Sequence, residues 1–333
     1  MPFGEIVGQD RAVAQLRLAW AAERLGQAYC FHGPSGVGKR TTALALAQAV
    51  NCLAPAPGPD ACGACPACRL IAAGAHPDVV AVRPEDKAVI GIDQIREVGA
   101  RASLRPYQGR TKVWILDPAD RMQEPAANAL LKTLEEPAGI SLFLLVTATP
   151  SALLPTILSR CQGVRFDLLG EAALRTILAR HDRSADEAAA IVPLAAGSAE
   201  RALTLDLAAT RAARDRVVQE VWGALDSPLH VLECAERLAE DRPRLEAALE
   251  VLTSFSRDLA VLKVGGEAAP LVHADCRDQA VALAARYPAA AILSIFAAQT
   301  EAQRALARNA NPRLTAEHML LSMRDAVRAV GAR

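Results

Sequence analysis

In the first half of the chain, short apolar or β-branched runs recur between turn residues. They fall at residues 29–32, 79–82, 112–117, 142–146 and 164–166. None alternates apolar with polar positions, so each reads as a strand buried on both faces, the habit of a parallel sheet. Between them, residues 41–50, 92–104 and 126–136 carry apolar positions at helical spacing. Such alternation predicts an α/β module: an open, mainly parallel, doubly wound sheet with flanking helices and a ligand crevice at the strands' C-terminal ends. Past Leu168 the strand pattern stops. Residues 171–181, 185–194 and 200–207 then read as a small helical lid, with Gly197-Ser198 as a turn. From about Arg211 everything is helical, punctuated at Asp226-Ser227-Pro228, Asp241-Arg242-Pro243, Gly265-Gly266 and Asn311-Pro312. The predicted division is 1–168, 169–208 and 209–333.

One junction carries chemistry. After the run at 29–32 stands Gly33-Pro34-Ser35-Gly36-Val37-Gly38-Lys39, and an alanine- and leucine-rich helix follows. Strand, G-x-x-x-x-G-K and helix is the context of a P-loop: Gly33, Gly36 and Gly38 let backbone N–H groups face a phosphate, and Lys39 reaches its outer oxygens. The hydroxyl that should ligate Mg²⁺ is replaced by Arg40, and Thr41 comes one residue too late to point the same way. The strand at 112–117 ends in Asp117, the carboxylate of the metal side, but Pro118 follows, where a water-activating carboxylate belongs. Asp117-Pro118 also reads as an N-cap followed by proline at the first helical position. The loop is therefore either a nucleotide site or a vestige of one. Magnesium and autonomous hydrolysis are not expected, and ATP occupancy stays open.

The cysteines form a second constellation. Cys62, Cys65 and Cys68 make two overlapping C-x-x-C units, and Cys52 lies upstream across the Pro/Gly-rich loop 53–60. Four thiolates close a tetrahedral Zn²⁺ shell with no position for water, which makes the site structural. Reduced thiols or a disulfide pair are the competing reading, although disulfide frameworks belong to small secreted chains. Cys68 is expected to open a short helix ending near Gly74, and the module spans about 52–74. The remaining cysteines, Cys30, Cys161, Cys234 and Cys276, are scattered and read as ordinary core or surface residues.

Several runs together carry a resemblance: Ile6-Val7-Gly8-Gln9, the P-loop, the cysteine cluster, Asn128-Ala129-Leu130-Leu131-Lys132-Thr133-Leu134-Glu135-Glu136-Pro137, Ile157-Leu158-Ser159-Arg160-Cys161 and Asn309-Ala310-Asn311-Pro312-Arg313-Leu314. Nearly end to end, the chain resembles the delta-prime family of bacterial DNA polymerase III clamp-loader subunits, AAA+ relatives of the gamma/tau ATPases. The resemblance implies an AAA+ module, a zinc insertion after the P-loop helix, a lid and a helical collar through which five subunits form a ring. It implies gamma/tau and delta as partners, with the sliding clamp and primer-template DNA reached through the complex. It also implies that Arg160 acts as an arginine finger in a neighbour's ATP site, and that Thr147 or Thr149 is the sensor near the γ-phosphate. Without the resemblance, Arg160 reads as a helix-terminal arginine interacting with the dipole. The gamma-type ATPases keep the P-loop hydroxyl, the glutamate after the strand and a lid arginine; here Arg40, Pro118 and Glu200 stand instead. The implied role is a non-hydrolysing subunit in DNA replication; the alternative is an ATP-hydrolysing gamma/tau-type motor in which Thr41 and Asp120 replace the missing ligands.

Bulk properties narrow the rest. The 333 residues are 52% hydrophobic, enough for two or three domains, and 37 Lys+Arg balance 37 Asp+Glu. No global basic field advertises nucleic acid, so any DNA contact is local. Arg96, Arg101 and Arg105 read as a solvated helix face, Glu135-Glu136 cannot aim at one point from adjacent helix positions, and His32 and His76 stand alone. The N-terminus lacks a charged-then-apolar signal, and charges interrupt the apolar runs before they reach about 18 residues. The expected place is a reducing cytoplasm, at a nucleoid-associated replisome, with no membrane partner.

Overall fold

The computed structural model describes residues 1–54, 58–85, 88–135 and 139–331. Glu136 and Pro137 of the run quoted above, and the middle of the loop 53–60, lie outside the described residues. By contacts the chain divides into two compact units, Met1–Ala188 with Ala195–Leu203, and Ala189–Leu194 with Thr204–Arg333.

The first unit is built on five parallel strands: β1 (Ala28–His32), β2 (Val79–Val82), β3 (Lys112–Leu116), β4 (Ser141–Thr147) and β5 (Gln162–Arg165). Their order across the sheet is β2-β3-β4-β1-β5. Successive side chains leave opposite faces, and both faces are covered. Tyr29, Phe31, Val113, Ile115, Leu142 and Leu144 join one core with residues of helices α1 (Asp10–Ala21), α2 (Lys39–Asn51) and α3 (Pro66–Ala72). Cys30, Trp114, Leu116, Phe143 and Leu145 join a second with α4 (Ile92–Ala102), α5 (Glu124–Glu135) and α6 (Pro155–Leu158). This explains the unbroken apolar runs: every position of β3 and β4, and of β1 up to Phe31, is buried.

Helices α7 (Glu171–Arg180), α8 (Ala185–Ala195) and α9 (Ala199–Thr204) follow. Ser184 and Glu187 form a reciprocal capping box that starts α8. The second unit holds α10 (Leu207–Ala224), α11 (Pro228–Leu238), α12 (Arg242–Gly265), α13 (Arg277–Arg286), α14 (Ala289–Ala307) and α15 (Pro312–Gly331). Its core runs through Trp222, Leu252, Phe255, Ile292 and Met323. The Asn309–Leu314 run is a helix junction. Asn309 adopts a left-handed φ of 61°, and Asn311 caps α15 by accepting the Leu314 N–H at 3.1 Å, with Pro312 first in the helix. Arg242 crosses from α12 to donate to Asn309 Oδ1 and the Leu306 carbonyl.

Three local expectations are corrected. The short helix opens at Pro66 rather than Cys68, because the Cys65 sulfur caps it by accepting the Cys68 N–H. Asp117 is not an N-cap: its N–H extends the ladder to Val82 O at 3.0 Å, and Pro118 is extended (φ −85°, ψ 134°) before a single 3₁₀ turn at Ala119–Arg121. The helix read at 200–207 ends at Thr204, and α10 begins at Leu207 because Asp206 accepts the N–H groups of Ala208 and Ala209.

Candidate functional site

The P-loop lies where β1 hands over to α2. Gly33 has φ 141°, and a Cβ there would stand 2.1 Å from the Phe166 carbonyl, so no other residue fits. Gly36 has φ 73° and faces the start of α9, where a Cβ would stand 2.1 Å from Ser198 Oγ and 2.8 Å from Glu200 Cβ. Gly38, also left-handed, is the N-cap of α2. Lys39 is 6% exposed and folds back on the loop, its Nζ donating to Gly33 O at 2.6 Å and Pro34 O at 2.5 Å. Burial pushes its pKa down, opposed by the nearby carboxylates of Asp117, Asp120 and Glu200.

Across the crevice, burial raises the Asp117 carboxyl, countered by Arg83 and Lys39. Arg40 Nε approaches Asp117 Oδ2 to 3.9 Å. A guanidinium thus faces the carboxylate that would hold a metal. Thr147 ends β4 beside His32 of β1, and its Oγ1 donates to Asp120 Oδ1 at 2.5 Å and accepts from the Thr149 N–H. Thr42, rather than Thr41, turns its hydroxyl onto the Gly38 carbonyl. So the structure gathers Gly33, Gly36, Gly38, Lys39, Asp117 and Thr147 in one place, together with Arg83, Asp120 and Glu200. Nucleotide chemistry needs open N–H groups and a metal ligand at that place. The loop here meets Ser198 and Glu200, and the Arg40 guanidinium stands 3.9 Å from the Asp117 carboxylate.

Arg160 lies just past α6 with its side chain 37% exposed. Its guanidinium donates to Glu135 Oε1 at 2.6 Å, to Thr156 O at 3.0 Å and to Ser159 Oγ at 3.4 Å. The Thr156 contact is what a helix-terminal arginine makes by itself; the Glu135 pair joins α6 to the end of α5. Glu135, discounted as a carboxylate pair with Glu136 because adjacent helix positions cannot aim at one point, is instead the partner of Arg160, and nothing in the spacing from 135 to 160 announces that contact.

The four cysteines converge. The sulfurs of Cys52, Cys62, Cys65 and Cys68 all lie within 4.8 Å of one another. Ligands about 2.3 Å from a common tetrahedral centre are about 3.8 Å apart, so the set fits zinc. Cys62 N–H donates to Cys52 Sγ and Cys65 N–H to Cys62 Sγ, each at 3.3 Å. For Cys65 burial acts upward, but the N–H groups of Cys68 and Leu53 prevail and hold it at about 6; burial pushes Cys68 and Cys52 up. When bound, the metal would supply a rigid cross-link and no open position. The other four thiols are set apart: burial pushes Cys30 and Cys276 up to about 11, and Cys161 and Cys234 to about 12.

Two polar staples brace this region, and neither was legible as a motif. Asn51, the last residue of α2, accepts the Arg110 and Thr111 N–H groups and donates to the Thr111 carbonyl. Asp78 accepts the N–H groups of Tyr107, Gln108 and Gly109.

Residues 8–169 match the family model described as "DNA polymerase III, delta subunit", and residues 210–325 match its C-terminal counterpart. The chain belongs to the DNA polymerase III delta-subunit family. A delta-prime subunit of this family from Pseudomonas aeruginosa is 40% identical over 212 residues, 63% of this chain and 64% of that one. The delta-prime subunit of Bacillus subtilis is 28% identical over 321 residues, 95% of this chain and 96% of its own length. Similarity to a Mycobacterium tuberculosis gamma/tau subunit is 39% over 178 residues, 54% of this chain and 31% of that longer one. Among solved structures, a gamma subunit-related protein from Thermotoga maritima aligns over 94% of this chain and 99% of its own, with a TM-score of 0.46 and 20% identity. No single described helix is long and apolar enough to cross a membrane.

Proposed function

We propose that the chain is a non-hydrolysing clamp-loader subunit of DNA polymerase III. It completes a pentameric AAA+ ring with gamma/tau and delta subunits through its helical C-terminal unit, and presents Arg160 to the ATP site of an adjacent gamma/tau subunit. The ring in turn acts on the sliding clamp at primer-template DNA, in the cytoplasm at the replisome. The three-part division into a nucleotide-type module, a lid from 169 to 208 and a collar from 209 belongs to this reading, as does structural zinc on Cys52, Cys62, Cys65 and Cys68.

The observation that carries it is the approach of Arg40 Nε to Asp117 Oδ2 at 3.9 Å, with Pro118 next in the chain. A guanidinium takes the metal side, and proline offers no proton acceptor on the water side. Thr147, bonded to Asp120, is the better sensor equivalent of the two threonines. The 39% identity to a gamma/tau subunit favours the motor reading for the first half of the chain. Against it, Asp120 already accepts the Thr147 hydroxyl, and Arg40 stands where a metal ligand would have to form.

The partly exposed Arg160 supports the finger. An arginine supplied in trans neutralises charge developing on the transferred phosphoryl group, an effect of about 10³- to 10⁵-fold in related NTPases. Arg160→Ala is expected to leave ring assembly intact on gel filtration while single-turnover hydrolysis at the adjacent site falls by about 10³-fold or more. Unchanged single-turnover hydrolysis would refute the finger. The wild-type chain alone is expected to show no ATP turnover; turnover that vanishes in Lys39→Ala would establish the motor instead.

A further inference from the structure

Three contacts at the P-loop have the same sense. The Glu200 N–H donates to the Gly36 carbonyl at 3.2 Å, which ties the first turn of α9 to the turn of the loop. A Cβ built on Gly36 would meet Glu200 Oε2 at 3.2 Å, so the carboxylate itself lies against the loop. Lys39, which feels the charges of Asp117, Asp120 and Glu200, directs its ammonium into the loop's own carbonyls. The cationic loop and N-terminus of α2 are a natural anion site, and the anion beside them comes from residue 200 of the same chain.

We propose that this P-loop is closed from within: the Glu200 carboxylate stands in for a phosphate beside Lys39, and the Arg40 guanidinium stands in for the divalent cation beside Asp117. The ligand class that competes for the loop is a nucleoside di- or triphosphate free of magnesium, and it enters only when Glu200 is neutralised or displaced. This rests on the non-hydrolysing reading above, and adds why the loop persists without a nucleotide. Its charges are satisfied in cis, so the loop keeps its shape and the lid is held on it. A triphosphate approaching this loop meets the Glu200 carboxylate beside Gly36, and its usual metal meets the Arg40 guanidinium; both encounters are repulsive.

Titration of the full-length chain with a fluorescent N-methylanthraniloyl-ADP, followed by anisotropy, tests the proposal. Wild type is expected to show no saturable binding in EDTA or in magnesium. Glu200→Gln keeps the backbone bond to Gly36 and removes the charge, and is expected to bind at least about tenfold more tightly, a gain of about 1.4 kcal/mol. The gain should be the same in EDTA and in magnesium, and should disappear when Lys39→Ala is added. Adding Arg40→Ser to Glu200→Gln should make binding magnesium-dependent. Glu200→Ser is the second variant, with the same expectation and less side chain to accommodate. Absence of a gain in both, or a gain that needs magnesium while Arg40 is present, overturns the closure. Wild type that binds the probe as tightly as Glu200→Gln without hydrolysing ATP sinks this inference alone. Wild type that turns ATP over sinks the non-hydrolysing reading, and the Arg160→Ala assay bears on neither charge.

Discussion

Helix α2 has a ligand site at each end, and the two have met opposite fates. At its N-terminus, Lys39 and Arg40 add to the positive end of the helix dipole, and Asp117, Asp120 and Glu200 of the same chain surround them. At its C-terminus, about 20 Å away for a helix of this length, Cys52 begins a group of four sulfurs positioned to hold a metal ion. A site whose charges are met by its own chain requires no ligand to hold its shape. On the proposed zinc reading the converging sulfurs do, and the fold of the knuckle depends on what binds.

The largest effect should therefore follow loss of a cysteine. Cys68→Ala removes a buried ligand from the four, and zinc in denatured protein, measured by elemental analysis, should fall from about one per chain to none. Apparent metal-binding free energies in small zinc modules are about 10 kcal/mol or more. Much of that is folding energy for residues 52–74, so the thermal midpoint should fall sharply. A metal-free variant with an unaltered midpoint would show that the knuckle, like the P-loop, is satisfied by its own chain.

A smaller effect is expected at Asp78, which sharpens the contrast because it is an anion cradled by backbone N–H groups, as a phosphate is in a working P-loop. Burial pushes its pKa up, but the N–H groups of Gly109, Tyr107 and Gln108 and the nearby His76 outweigh this and lower it. Asp78→Ala leaves three donors of the 107–109 turn without their acceptor, at a cost of about 2–4 kcal/mol. The sign with pH follows from the lowered folded pKa: the unfolded chain takes the proton first. The stabilisation is thus complete above the ordinary aspartate range, about pH 4, and fades as pH falls through the folded value. Urea unfolding of wild type and Asp78→Ala should differ by a constant amount at neutral pH and converge in acid. A difference independent of pH would mean that the carboxylate's charge does not hold the turn.

How far the sequence revealed these two sites follows from the same physics. The strands were legible because both faces of the sheet are covered, leaving unbroken apolar runs such as Val113–Leu116. The cysteines were legible because their spacing is local. The closure of the P-loop was only half legible: Arg40 and Pro118 sit beside the motif, but Gly36 meets Glu200 across 164 positions of chain, and no periodicity reports such a contact. Asn51 and Asp78 were invisible for a similar reason, since each is a single polar residue whose partners are backbone groups nearly 30 or 60 positions away. Asp206 was legible and overlooked: an aspartate before a helical run is an N-cap signal, and it places the start of α10 at Leu207 rather than near Arg211.

The smallest expected effect tests the other side of the comparison. Arg40 is 44% exposed on its side chain, and at 3.9 Å its approach to Asp117 is a loose ion pair rather than a bidentate one. Such half-exposed pairs contribute about 0–1 kcal/mol and are screened by salt. Arg40→Ala should then move the unfolding free energy by less than about 1 kcal/mol, and that difference should shrink as salt is raised. Lys39 and its two carbonyl acceptors would still hold the loop. If Arg40→Ala instead destabilised the chain as strongly as loss of a cysteine ligand, the guanidinium would be as indispensable to its site as the metal is to the knuckle. The two ends of α2 would then obey one rule, with a covalently attached cation at one end and a bound cation at the other.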